Sequence, residues 1–328
     1  MTKLVDINDM NPKEPLIEGV ITTRGYDKRL IKQIKEKRVT GSEQYYIDPQ
    51  LYLNITAPIS GTEASYAETE MFLRNYDATI KRYTEGTMKV FFGIGNGDTE
   101  TWMHRLEYNA KRYHEICAID AQRYYLELYL AGLRKFILGM QGGIMFKGLN
   151  MFFDEAAWGK LDFSNSRLKR NTLVVLGNTV GNYINQLEIF NILGGCMKED
   201  DFLLLGIQLA LKKNPELVVS RYDDVFYNAM AEDIRRRVES VGFQLPKKIR
   251  WVYEDSFVKA LCGDTTLFLS KKYDLDEVED IGKKTGLERV ERFTDELQRY
   301  ALVIMRKNAE KTTAQSKRNH TAPSIKLS

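Results

Sequence analysis

The chain has 328 residues, 43% of them hydrophobic and 28% charged, with a net charge of +3. These are the proportions of a soluble globular protein with one large or two ordinary domains, and the near-balanced charge gives no footing for nucleic acid or an anionic membrane as partner. Three widely spaced cysteines (Cys117, Cys196, Cys262), a polar N-terminal segment and no long apolar run argue against a disulfide framework, a metal-ligand set or a membrane span, and point to the cytoplasm.

Residues 1–20 are predicted to be a loose arm. Asp27 to Lys37 follows a basic helical pattern whose charges suit a solvated face. Tyr45, Tyr46 and Tyr52 then crowd a short segment, either to close over a flat ligand or simply to pack. A helix is expected over Ser65 to Tyr83. After it, the apolar run Met88 to Phe92 breaks into Gly93, Gly95 and Gly97, and Asp98 can open a helix reaching Tyr113. A buried parallel strand has this form, and glycines at its end let backbone approach a ligand. The next apolar run, Ile116 to Ile119, ends in Asp120. An acid there, roughly 20 residues past the glycines, is placed to accept hydrogen bonds from a ribose. Glycine turn and acid together predict a nucleoside cofactor site.

A third helix, Gln122 to Met140, leads to a strand over Gly142 to Gly148 and the loop Leu149 to Phe152, where Asn150 is a candidate for an adenine edge. The strand Thr172 to Leu176 runs into a second glycine turn, Gly177 to Tyr183, and Asp201 to Ile207 forms a fifth strand. Strand and helix alternating in this way predict an α/β fold with a doubly wound parallel sheet. Beyond Gln208 the rhythm changes. Pro215 to Phe226 is turn-prone and Met230 to Val241 helical, while Ile249 to Tyr253 and Thr265 to Ser270 read as antiparallel strands joined at Gly263–Asp264. This predicts a smaller α+β lobe inserted before the sheet is completed. Asp274 to Gln298 is expected to be helical with a break at Gly286, and Tyr300 to Met305 to be a last strand.

The segment Val174-Val175-Leu176-Gly177-Asn178-Thr179-Val180-Gly181-Asn182-Tyr183, followed by Asp200-Asp201-Phe202-Leu203-Leu204-Leu205-Gly206, resembles the histidine Nα-methyltransferase family of ergothioneine biosynthesis. The likeness extends to Arg221-Tyr222-Asp223-Asp224, to Leu269-Ser270-Lys271-Lys272-Tyr273, and to the regions of Tyr46 and Ala67-Glu68-Thr69-Glu70. It implies a Rossmann-like methyltransferase sheet that binds S-adenosylmethionine, with a separate substrate lobe. On that basis residues 1–66 are the arm and part of the substrate lobe, 67–212 the cofactor domain, 213–272 the inserted lobe, 273–307 the completion of the cofactor domain and 308–328 a disordered tail.

Carried over by position, the resemblance implies that Gly93, Gly95, Gly97 and Asp120 contact the cofactor. It puts Asn150 near adenine and Tyr46 near the cofactor lid. Asn182 and Tyr222 would grip the amino and carboxylate groups of an amino-acid substrate, with Phe268 and Ser270 beside its side chain. Two positions depart from the family. Phe91 replaces the acid before the first glycine, and Phe268 replaces a carboxylate that reads the imidazole, so the expected acceptor is less polar than histidine. The leading expectation is an S-adenosylmethionine-dependent N-methyltransferase acting on an amino acid or small amine. An NAD-dependent dehydrogenase shares the doubly wound fold, but the third glycine comes two residues after the second and no catalytic His or Tyr–Lys pair is evident. A methyltransferase-like protein without turnover is the third reading, and Phe91 and Phe268 are its basis.

Overall fold

The computed structural model describes residues 4–7, 16–37, 39, 63–95, 98–107, 114–137, 143–152, 166–211 and 215–308. Two short strands, β1 (Val5–Asp6) and β2 (Ile17–Glu18), add to one edge of the main sheet, so part of the expected loose arm is ordered by pairing with a later strand. Helix α1 (Thr23–Lys37) buries Tyr26, Leu30 and Ile34 along one stripe. Helix α2 (Glu63–Asn75) continues through a π turn, Tyr76–Ile80, and a last α turn, Lys81–Thr84. There follow β3 (Met88–Phe92), α3 (Asp98–Glu107), β4 (His114–Asp120), α4 (Arg123–Ile137) and β5 (Ile144–Asn150). After these come β6 (Asn171–Val175), α5 (Gln186–Cys196), β7 (Phe202–Gln208), α6 (Pro215–Ser220) and α7 (Val225–Ser240). A small sheet of β8 (Arg250–Glu254), β9 (Phe257–Cys262) and β10 (Thr265–Lys271) precedes α8 (Leu275–Lys284), β11 (Leu287–Thr294) and β12 (Tyr300–Lys307).

The main sheet runs β1-β5-β4-β3-β6-β7-β12-β11. Strands β5, β4, β3, β6 and β7 are parallel, and β12 runs antiparallel to β7. Alternate residues serve opposite faces, as strand geometry requires. Val90 and Phe92 join α5 and α8 in one core, while Phe91 joins α2, α3 and α4 in the other. This is a doubly wound, Rossmann-like sheet with helices on both sides. Its order reverses between β3 and β6, so the carboxyl ends of those strands form the crevice where such sheets bind ligands.

Two expectations are corrected. Asp274 to Gln298 is not one interrupted helix: α8 stops at Lys284, and Leu287–Thr294 is a strand. Its apolar residues mimic a helical spacing because a bulge between Arg289 and Glu291 switches the face that later residues present. The small sheet also has a third strand, β9, between the two expected ones, and the turn at Gly263–Asp264 joins β9 to β10. No helix among the described residues is long and apolar enough to cross a membrane.

Candidate functional site

Two glycine turns meet at the switch point. Gly93 has φ +66°, and a Cβ there would lie 2.9 Å from Thr179 Cγ2 in the turn after β6. Only a residue without a side chain lets the two turns approach so closely. Gly95 (φ +51°) and Gly177 (φ +63°) are also left-handed, and open space faces the position of a Cβ at each. The result is a cradle of exposed backbone along the carboxyl edge of the sheet.

Asp120 closes one side of this cradle. Its Oδ2 accepts from the Gly95 amide at 3.2 Å and its Oδ1 from the Gln122 amide at 2.7 Å. Burial pushes its ionisation up to about 6, against the pull of the amides of Gln122, Gly95 and Ile94. The carboxylate is therefore charged at neutral pH, and its remaining lone pairs suit a vicinal diol. Asn150 ends the neighbouring strand. Its Nδ2 donates to the carbonyls of Asp120 (3.1 Å) and Ala121 (2.8 Å), and its Oδ1 accepts from the Ile21 amide at 2.8 Å. Its visible work is to pin the chain entering α1 against the Asp120 corner. Tyr46 and Gly97 lie outside the described residues.

Phe91 points away from the cradle. It is fully buried and meets His104 and Tyr129 edge-on, at 5.4 and 5.9 Å between ring centroids. Burial holds His104 down to about 3, hence neutral, so the two rings that meet Phe91 carry no charge. A carboxyl group reaches the second glycine turn from Glu68 on α2. Its Oε2 accepts from the Gly177 amide at 2.8 Å and its Oε1 from Thr99 Oγ1 at 3.2 Å.

Across the edge lies a polar cluster built on β6, β7 and the small sheet. Asn178 is left-handed (φ 60°), a conformation Asn tolerates better than most residues. Its Oδ1 accepts from the Gln208 amide at 2.9 Å, and its Nδ2 donates to Ser270 Oγ at 3.2 Å and to the Lys271 carbonyl at 3.1 Å. Asn182, buried, ends the 3-10 turn Thr179–Asn182 that Asn178 leads. Tyr222, in the turn between α6 and α7, has its hydroxyl 2.9 Å from Gln208 Oε1 and 3.1 Å from Ser270 Oγ. Burial raises its ionisation, keeping it a neutral phenol.

Phe268, Ser270 and Lys272 project from the same side of β10 and the residue after it. Phe268 packs on Tyr222 (5.9 Å between centroids), Tyr227 (5.6 Å) and Trp251 (5.6 Å) and is completely buried. The structure thus ties Tyr222, Ser270 and the turn carrying Asn182 into one network. It sets Gly93, Gly95 and Asp120 in a second group touching that turn. Sequence reasoning singled out no role for Glu68, Asn178, Gln208 or Lys272. Asn178 and Glu68 stood inside motifs, but nothing local marked them as the residues joining separate elements.

Residues 64–231 match the model of a family described as histidine-specific methyltransferase, SAM-dependent. Among solved structures, similar ones include an S-adenosylmethionine-dependent methyltransferase from Clostridium acetobutylicum, with 10% identity, a TM-score of 0.46, and coverage of 79% of this chain and 99% of that one. The 1,6-didemethyltoxoflavin-N1-methyltransferase of Burkholderia thailandensis has 8% identity and a TM-score of 0.44, covering 92% and 98%. The CcbJ methyltransferase of Streptomyces caelestis has 13% identity and a TM-score of 0.41, covering 87% and 98%. No curated protein matches.

Proposed function

The chain belongs to the family of histidine-specific, S-adenosylmethionine-dependent methyltransferases, and we propose that it methylates the nitrogen of an amino acid or small amine. The observation that carries this reading is the contact between Gly93 and Thr179. It joins a backbone cradle, with the acid proposed for a ribose, to the turn whose Asn178 reaches Ser270 and, through it, Tyr222.

When bound, S-adenosylmethionine supplies an electrophilic methyl group on a sulfonium. Gly93 and Gly95 would lie under its nucleoside, with Asp120 accepting from the ribose hydroxyls. In our reading Asn150 acts on the adenine side by fixing the Asp120 corner, and Glu68 provides the negative charge that Phe91 does not. Asn182 accepts from the acceptor's amine through its side-chain carbonyl and so directs the nitrogen lone pair at the methyl carbon. Tyr222 and Ser270 hold the rest of the acceptor in register. Holding two reactants in line removes much of the entropic barrier of a bimolecular displacement, so positioning accounts for most of the acceleration.

The acceptor lobe, in this proposal, combines the N-terminal segment with residues 213–272. The support is a shared cluster in which Tyr26, Leu30 and Ile34 of α1 pack with Ile234, Val238, Cys262 and Leu267. The acceptor's side chain is proposed to be less polar than histidine's, because Phe268 and the rings packed on it, Tyr222, Tyr227 and Trp251, place no carboxylate where a ring nitrogen would need one. The test is the pair Asn182→Ala and Tyr222→Phe. Each should lower kcat/KM for methyl transfer by about tenfold or more while S-adenosylhomocysteine binding stays at the wild-type level. Unchanged transfer in both would remove them from the site.

A further inference from the structure

Methyl transfer needs a neutral nitrogen, whereas the amines proposed above as acceptors carry a proton at neutral pH. A base must take that proton before the lone pair can meet the methyl carbon. The side chains assigned to the acceptor do not supply one. Asn182, Phe268 and Ser270 are not bases, and burial keeps Tyr222 a neutral phenol. Asp120 is held on the cofactor side by the Gly95 and Gln122 amides.

Four lysines are buried among the described residues, and three of them have an acid. Lys89 pairs with Glu107 at 2.5 Å, Lys271 with Glu277 at 2.9 Å, and Lys147 with Glu18. Lys272, 3% exposed, pairs with no carboxylate of the described residues. Its Nζ lies 2.5 Å from Tyr222 Oη and 2.9 Å from Ser270 Oγ, and it also meets Gln208 Oε1. The charged group within its reach is Arg221, from the turn between α6 and α7, and Tyr300 of β12 is near both Arg221 and Tyr222. Burial, and after it Arg221, push the ionisation of Lys272 well below the ordinary lysine value. Protonated, it would be a buried charge without a counter-ion, which neutral hydrogen bonds do not fully offset. Neutral, it fits this cage: two N–H groups serve Gln208 Oε1 and Ser270 Oγ, and one lone pair accepts from the Tyr222 hydroxyl.

We infer that Lys272 is the general base of the transfer, taking the acceptor's surplus proton through the Tyr222 hydroxyl. The ammonium N–H bond breaks as a bond forms to Tyr222 Oη, and the phenol's own proton passes to Lys272 Nζ, so the tyrosine ends neutral. The freed lone pair then bonds the methyl carbon, whose bond to sulfur breaks with the electron pair staying on sulfur. Gln208, the partly exposed member of the cage, marks the side on which Lys272 returns the proton to water. A base is most effective with an ionisation near the working pH, and a lysine reaches that when it is buried without an acid. The role rests on the reading of Asn182 and Tyr222 proposed above.

The first measurement is a carbon-13 titration of the Lys272 side chain in the full chain saturated with S-adenosylhomocysteine. Its midpoint should lie well below the ordinary lysine value of about 10.4. A midpoint near that value overturns the inference, and no variant is needed to see it. The second measures labelled methyl transfer against pH, with the standard protein amino acids and benzylamine as acceptors. Wild-type kcat/KM should rise on the acid side through the Lys272 midpoint. Lys272→Met should lower it at pH 7 by about a hundredfold or more, while S-adenosylhomocysteine affinity is unchanged. The deficit should shrink as pH approaches the acceptor's own ionisation, whereas a structural defect would slow transfer equally throughout. Lys272→Arg, which keeps a charge but stays protonated, should be as slow as Lys272→Met. A wild-type pH profile in Lys272→Met, or activity restored by Lys272→Arg, would overturn the inference and spare the methyl-acceptor reading. No transfer to any amine at any pH would sink both.

Discussion

Asn178 Nδ2 lies 3.2 Å from Ser270 Oγ, a hydrogen bond between the turn after the fourth parallel strand and a strand 92 residues later. With the same side chain accepting from Gln208, one amide fixes the geometry between the cofactor turn and the proposed acceptor site. Asn178→Ala removes these bonds and leaves a β-carbon residue in a left-handed conformation. It should destabilise the protein by about 3 kcal/mol. Asn178→Gly, which relieves the backbone but not the lost bonds, should cost about 1 kcal/mol less. Denaturant unfolding of both variants measures this, and wild-type stability in either would mean that the network is slack.

Asp120 gives a pH signature. Its carboxyl is raised to about 6 from 3.8, so S-adenosylhomocysteine affinity should be level above neutrality and fall as pH drops through about 6. In the unliganded protein the sign is opposite for stability. Between the unfolded and folded values the native state holds the extra proton, so this group's contribution falls as pH rises through that window. Asp120→Ala should weaken cofactor binding by about 1.5–3 kcal/mol and flatten the pH profile. Calorimetry across the range, with the variant showing wild-type affinity and slope, would take Asp120 out of the site.

In the proposed reading Glu68 stands in for the acid that position 91 lacks. Replacing it by Gln keeps the shape and removes the charge beside Gly177. The variant should bind S-adenosylhomocysteine about tenfold more weakly, the scale of one charged hydrogen bond. Equal calorimetric affinities would leave Glu68 as a purely structural brace.

Phe268 gives a test of the proposed acceptor choice. Phe268→Glu should move preference toward histidine by about tenfold or more, if one charged hydrogen bond to a ring nitrogen is gained. It should also lower thermal stability, since the new carboxylate enters an aromatic cluster with Tyr222, Tyr227 and Trp251. Competition assays on both proteins settle the matter: histidine as the best wild-type substrate, with the variant indifferent, would put position 268 outside the pocket.

What could be read in the sequence was local. Met88 to Phe92 ending in glycines, and an apolar run ending in Asp120, are signals carried by adjacent residues, and the structure has them as the neighbouring strands β3 and β4, with Asp120 bonded to the Gly95 amide. The network was not legible for a physical reason: its bonds span long separations. Lys272 sits next to Lys271, and nothing local marks it as buried: Tyr222, 50 residues earlier, and Gln208, 64 residues earlier, close over it. Leu287, Val290 and Phe293 misled for a different reason. Their spacing suits a helix as well as a bulged strand, and only pairing with Tyr300–Lys307 decides between them.

The most direct measurement is a mass-shift assay with S-adenosylmethionine carrying an isotopically labelled methyl group, run against a pool of amino acids and small amines. The account predicts labelled methyl on the nitrogen of an amino-acid-like compound, with transfer abolished by competing S-adenosylhomocysteine. Calorimetric binding of S-adenosylmethionine with no nitrogen methylated anywhere in the pool, or with label only on oxygen or carbon, would contradict it.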